Sequence, residues 1–170
     1  MQLFVERIKT PIGPLLITHD GKALANVAFA DQEERRAGEL ARDFPDPQVK
    51  RAPRATRIAA TLARYFEGDI RAIDKLPVIA FGTEFQNRCW KALRRVAPGT
   101  TRSYGDHASA IGRPAAARAV GAANGFNPIS IVIPCHRLVG ANGSLVHYGG
   151  GLERKRWLID HEAHHAGRRS

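Results

Sequence analysis

Ile129-Ser130-Ile131-Val132-Ile133-Pro134-Cys135-His136-Arg137 is a short β-branched apolar run that stops at a proline and is followed at once by a thiol, an imidazole and a guanidinium. Bounded by Asn127-Pro128 and Pro134, the run reads as a buried strand. Pro134 cannot donate to a ladder and ends it, so Cys135 is delivered to a fixed point at the edge of a core. The thiolate is the nucleophilic form, and an unperturbed pKa of about 8.5 leaves only a few per cent of it at neutral pH. Lowering that pKa by about two units stabilises the thiolate by about 2.7 kcal/mol, and His136 and Arg137 are the candidate charges. In a regular strand adjacent side chains face opposite ways, so His136 reaches Cys135 only after a turn or through a bridging water. On adjacency alone, a buried inert thiol beside a surface histidine is the alternative.

Just before this run, Pro98-Gly99 turns the chain and Ser103 can cap a short helix from Tyr104 to about Ile111. Gly112-Arg113-Pro114 breaks it and a second helix runs from Ala115 to about Asn124, giving a helix-turn-helix pattern. The second helix carries almost nothing larger than a methyl group except Arg118 and Val120. Small side chains suit either tight packing or entry into a narrow DNA groove, and the lone Arg118 favours DNA. Thr83-Glu84-Phe85-Gln86 is a capping box opening a helix to about Val96, which places Cys89 on a core face with Trp90 and Leu93. After the run, Asn142-Gly143 reads as a hairpin turn in a wing-like ribbon. Tyr148 and the glycines Gly149 to Gly151 form a loop able to present backbone N–H groups, and a last helix ends near His161-Glu162. His164 to Ser170 reads as a frayed tail.

The amino-terminal half reads as a three-stranded antiparallel meander from Leu3 to Phe29, with Asp20-Gly21 at one hairpin. Asp31 can cap a helix to about Phe44. Lys50, Arg51, Arg54 and Arg57 read as a solvated linker and helix start, with DNA contact as the alternative. A second helix spans about Thr56 to Glu67, and an extended stretch from Ile73 to Ala80 leads to a domain boundary near Phe81.

The chain has 170 residues and 44% hydrophobic residues, enough for a core without disulfides. A formal charge of +10 favours a polyanionic partner. Nucleic acid is the usual one, with a membrane surface or the ribosome as alternatives. Two cysteines, Cys89 and Cys135, are too few for a disulfide scaffold or a cysteine-rich zinc site. No apolar run reaches the length of a membrane span, and a soluble protein in a reducing cytoplasm is expected.

Asn127-Pro128, Ile133 to Arg137, Asn142-Gly143, Tyr148 to Leu152 and His161-Glu162 stand in an order and spacing that strongly resembles the methylated-DNA:protein-cysteine methyltransferases, or O6-alkylguanine-DNA alkyltransferases. The Pro-Cys-His-Arg core is specific to that family. The resemblance is strong from about Phe81 to Glu162 and weaker before it, through Thr10-Pro11-Ile12-Gly13-Pro14-Leu15. It implies a two-domain α/β (α+β) protein: a ribonuclease-H-like domain with an antiparallel sheet over residues 1–80, and a winged-helix-like (helix-turn-helix) domain over 81–170.

The implied reaction is stoichiometric transfer of an alkyl group from O6 of guanine in duplex DNA to Cys135, with O4-alkylthymine left open as a further substrate. The resemblance makes His136 the base, Glu162 the group that orients it, Asn127 the brace of the turn and Tyr104 the proton donor towards N3 of guanine. Tyr148 and Gly149 meet the base, and Arg118 fills the gap left by a flipped nucleotide. Ala117, Ala119, Gly121 and Ser103 complete the duplex contact. No cofactor and no structural metal are implied. The expected partner is double-stranded DNA containing alkylated guanine, with no membrane role. A monomer is expected, cooperativity on DNA being open.

Many bacterial relatives carry a small Thr-Gly pair before the loop tyrosine, whereas this chain has Val146-His147, which leaves the tolerance for larger alkyl groups open. Three other readings compete: a non-enzymatic alkyltransferase-like lesion sensor, which would lack the reactive cysteine present here, a cysteine hydrolase built on Cys135, His136 and Glu162, and a plain DNA-binding module with a fortuitous thiol.

Overall fold

The structure is a computed structural model that describes residues 1–167. The chain forms two compact units, Met1–Phe81 with Pro128–Ser130, and Gly82–Asn127 with the chain from Ile131 onward.

In the first unit β1 (Gln2–Ile8), β2 (Leu15–His19) and β3 (Leu24–Phe29) form the antiparallel meander. The Asp20 carboxylate accepts from the Lys22 and Ala23 amides, both at 2.8 Å, and closes the second hairpin. Lys50 and Arg51, read as linker, lie instead in a fourth strand, β4 (Gln48–Arg51), which pairs in parallel with the outer edge of β1. All four of its side chains are exposed, so neither face carries the apolar alternation that marks a half-buried strand.

Helix α1 (Glu33–Asp43) packs Leu40 and, just beyond it, Phe44 on Leu3 and Ala25. Asp31 does not cap it. The chain leaves β3 through a 3₁₀ turn, Ala30–Gln32, that contains Asp31, and Gln32 takes the cap position with its side chain not capping the helix. Helix α2 (Arg57–Phe66) is capped by Thr56, which accepts from the Ala59 amide, and it buries Ile58, Leu62 and Tyr65. Val78 bridges to Leu24, and Ile129 bridges to Val27 on the same strand.

In the second unit the capping box of Thr83 and Gln86 opens α3 (Glu84–Leu93). Ser103 accepts from the Asp106 amide at the start of α4 (Tyr104–Ala110), and α5 (Ala117–Gly125) follows the tight turn. The buried Trp90 ring donates Nε1–H to the Ala123 carbonyl at 2.9 Å, pinning α5 to α3. Two-residue strands β5 (Arg102–Ser103) and β6 (Leu138–Val139) pair in parallel.

The expected ribbon around Asn142-Gly143 does not form. The turn itself closes, with the Gly140 amide on the Ser144 carbonyl at 2.9 Å, but the Val146 and His147 carbonyls beyond it are taken by side chains rather than by a ladder. Helix α6 (Leu152–His165) outruns its expected end, so His164 and His165 are helical rather than tail. Arg168 to Ser170 lie outside the described residues.

Candidate active site

Ile129 to Ile133 is not one continuous strand. Ile129 pairs with Val27, and then the buried Ile131 takes φ of 74°. That is left-handed backbone, strained for a β-branched residue. Pro134, at φ −82° and ψ 66°, is the centre of an inverse γ-turn in which the Cys135 amide donates to the Ile133 carbonyl at 2.8 Å. Cys135–Arg137 then make one turn of 3₁₀ helix. Pro134 ends the run as expected, but by turning the chain, and Cys135 and His136 are thereby freed from the opposite-face geometry of a strand. Two amide side chains at the end of α5 hold this turn: Asn127 Nδ2 donates to the Ile133 carbonyl at 2.8 Å, and Asn124 Nδ2 to the Cys135 carbonyl at 3.1 Å.

His136 is fully buried, and its Nε2 lies 2.7 Å from Glu162 Oε1. Arg137 grips the same carboxylate through Nε to Oε2 and a terminal nitrogen to Oε1, each at 2.9 Å, and gives its other terminal nitrogen to the Val96 carbonyl at 2.7 Å. The guanidinium is therefore committed to Glu162, not to the thiol as its position beside Cys135 suggests. Burial pushes the Glu162 carboxyl up, but His136 and Arg137 outweigh it and hold the group well below the usual carboxylate range. Burial also lowers the His136 pKa, against the pull of Glu162. A carboxylate only accepts, so a neutral His136 carries its proton on Nε2, leaving Nδ1 unprotonated. That buried Nδ1 has no hydrogen-bond partner among the described residues.

Cys135 lies at the wall of a cavity of about 910 Å³, with Tyr104, Arg118, Gly121, His147 and Tyr148 among its lining. Ala117 and Gly149 line it too. Ala119 and Ser103 do not: Ala119 is on the exposed side of α5, and Ser103 caps α4. His136, Glu162 and Asn127 lie buried beneath. An added Cβ at Gly121 meets only the Tyr104 ring at 3.9 Å, an ordinary contact, so packing does not demand glycine there. His147 takes φ of 45°, a left-handed backbone.

The Tyr104 hydroxyl donates to the Val146 carbonyl at 3.2 Å, and Lys155 Nζ donates to the Val146 and His147 carbonyls at 2.9 and 3.1 Å. Burial lowers the Lys155 pKa to about 8, with the charge of Cys135 opposing. Burial and that same charge raise the Tyr104 pKa. Lys155 and Asn124 escape a reading of the sequence. Lys155 sits between Arg154 and Arg156 in a run that looks like a solvated face, and only its spacing of three residues from the buried Leu158 hinted that it points inward.

Cys89 is buried in α3, and burial raises its thiol pKa, in keeping with a core residue. Among the described residues no three His, Cys, Asp or Glu side chains gather as a metal requires, and no helix is long and apolar enough to cross a membrane.

Comparison with known proteins gives the same picture over the whole chain. The ribonuclease-like domain of 6-O-methylguanine DNA methyltransferase matches residues 3–80, and its DNA binding domain matches residues 84–164. The methylated-DNA--protein-cysteine methyltransferase of Shigella flexneri is 42% identical over 96% of this chain and 98% of its own length. That of Mycobacterium tuberculosis (strain ATCC 25618 / H37Rv) is 44% identical over 91% of this chain and 89% of its own. A crystal structure of Mycobacterium tuberculosis O6-methylguanine methyltransferase superposes with a TM-score of 0.80 at 38% identity, covering 98% of this chain and 96% of that one. A further structure, of the Mycobacterium tuberculosis protein in complex with DNA, gives 0.73 at 35%, covering 97% and 94%. With both domains matched in order, the chain belongs to the 6-O-methylguanine DNA methyltransferase family.

Proposed function

We propose that this chain repairs duplex DNA by moving the alkyl group from O6 of guanine onto Cys135 Sγ, once per protein molecule. The observation that carries the reading is the buried series of groups from Arg137 through Glu162 to His136, adjoining Cys135 at the cavity wall. His136 Nδ1 takes the thiol proton through a bridging water, and Glu162 steadies the imidazolium. The thiolate attacks the alkyl carbon, and the carbon–O6 bond breaks with its electron pair left on the base. Tyr104 gives that base a proton at N3, so guanine leaves neutral, and the proton held by His136 returns to Tyr104 through solvent. The product thioether has no ready leaving group, so the protein is spent.

O6 is out of reach in a stacked duplex, so the nucleotide turns out at a cost of a few kcal/mol. The cavity volume of about 910 Å³ accommodates a base. Arg118, exposed on α5, fills the gap in the stack, and Ala117, Ala119 and Gly121 let the helix lie in the minor groove. Tyr148 and Gly149 receive the base. Asn127 braces the nucleophile's turn, and Ser103 belongs to the duplex contact at the foot of α4. All these groups come from one chain, which acts as a monomer, and two free cysteines suit the reducing cytoplasm.

The test is to incubate the protein with excess duplex carrying a single O6-methylguanine and count restored guanine. A plateau at one equivalent per protein is expected. Tight binding with no restored guanine would instead favour the lesion sensor, and continued turnover would contradict single use.

A further inference from the structure

The first unit carries a group of basic side chains that the proposed reaction does not use. A cleft of about 530 Å³ opens where β4 ends, walled by Val5, Glu6, Arg7, Arg51, Pro53 and Arg54. Arg7, Arg51 and Arg54 are exposed, and Lys50 and Arg57, their neighbours in the chain, are exposed as well. None of these five is in an ion pair among the described residues, whereas Arg35, Arg36, Arg42, Arg64 and Arg71 of the same unit each face a carboxylate within 4 Å. The one acidic residue of the cleft, Glu6, is turned to other work: its carboxylate accepts from the Thr56 amide and hydroxyl and from His19. The local field is thus net positive, three guanidinium groups against one carboxylate, on a strand that is the edge of its sheet among the described residues.

We infer that the cleft between the end of β1 and the segment Arg51–Ala55 is a second phosphate-binding surface for duplex DNA, separate from the α5 surface. Three guanidinium groups around one concavity offer the forked donors that phosphate oxygens accept. Arginine also leaves its hydration shell more readily than lysine, which suits contact with a phosphate backbone. The surface reads no sequence, because phosphates carry none. It adds affinity and a steeper salt dependence to any binding that α5 makes.

The experiment measures binding to undamaged duplex as a function of salt, so its outcome does not depend on alkyl transfer. For the triple variant Arg7→Gln, Arg51→Gln, Arg54→Gln, the slope of log K against log salt falls by about 2 to 3. Between about 50 and 200 mM salt the wild type then loses about 40-fold more affinity than the variant does. The lysine triple variant at the same positions recovers most of the slope, and both variants transfer alkyl groups at the wild-type rate on saturating substrate, which shows that they are folded. A slope unchanged in the glutamine variant overturns the inference. Duplex length separates two sources of phosphate. A loss seen only on duplexes of about 30 base pairs and not on about 12 places the flank of the bound duplex in the cleft. A loss seen on both, with a second binding event abolished, places a separate duplex there.

Discussion

Glu162 sets the protonation of His136, and that dependence can be tested at a single atom. In Glu162→Gln the amide can donate to Nε2, which moves the imidazole proton to Nδ1 and removes the base. The expected result is a fall of at least about 100-fold in the single-turnover transfer rate, with duplex binding retained. A rate within a few-fold of wild type would show that His136 does not take the thiol proton. The same pair makes stability depend on acid. His136 has an ordinary pKa of 6.5 and is lowered in the native protein, and Glu162 has an ordinary value of 4.5 and is lowered too. The native state therefore binds fewer protons than the unfolded chain in both ranges, and stability falls as pH drops below 6.5 and again below 4.5. Urea midpoints across that range should decline in the wild type, and Glu162→Gln should lose the lower branch. At this scale the sequence was informative where the chemistry is contiguous, in Pro134 to Arg137, and where it ends a recognisable motif, in Glu162. It was silent on Arg137 as the grip on Glu162, because that contact joins residues 25 positions apart.

The helix starts at Thr83 and Ser103 were legible because capping is local, each side chain accepting from an amide three residues ahead. Strand β4 and the broken run from Ile129 to Ile133 were not, because the first has no buried face and the second pairs with Val27, far back in the chain, and then turns through left-handed backbone at Ile131. Two elements around the site make separate predictions. Gly99 takes φ of 86°, and a Cβ there would stand 2.5 Å from the Ala166 Cβ at the end of α6. Gly99→Ala should therefore lower stability by about 1–3 kcal/mol, read from denaturant unfolding. An unchanged midpoint would mean that this turn and the helix end move apart freely. Lys155 holds the loop before Tyr148 by two carbonyls. Lys155→Met fills the same space without the hydrogen bonds, and amide exchange through residues 144–148 should become at least about tenfold faster. Exchange at the wild-type rate would assign the order of this loop to Tyr104 alone.

On the scale of the whole chain, the charge of +10 pointed to a polyanion and the extended stretch from Ile73 to Ala80 to a domain boundary near Phe81. The sharper conclusion came from a few residues whose order matches one chemistry, and the fold brings most of them to one cavity: Tyr104, Arg118, Cys135 and Tyr148 line it, and His136 and Glu162 lie beneath. What sequence alone left open was whether the cysteine and the histidine next to it point to opposite faces of a strand, and the structure puts a turn there instead. The central claim is that Cys135 accepts the alkyl group, and intact-protein mass tests it most directly. After incubation with a duplex containing O6-methylguanine, the wild type should gain about 14 Da, located on the peptide containing Cys135, and Cys135→Ala should gain nothing. An unchanged mass under conditions of full duplex binding, or the same gain in Cys135→Ala, would contradict the account.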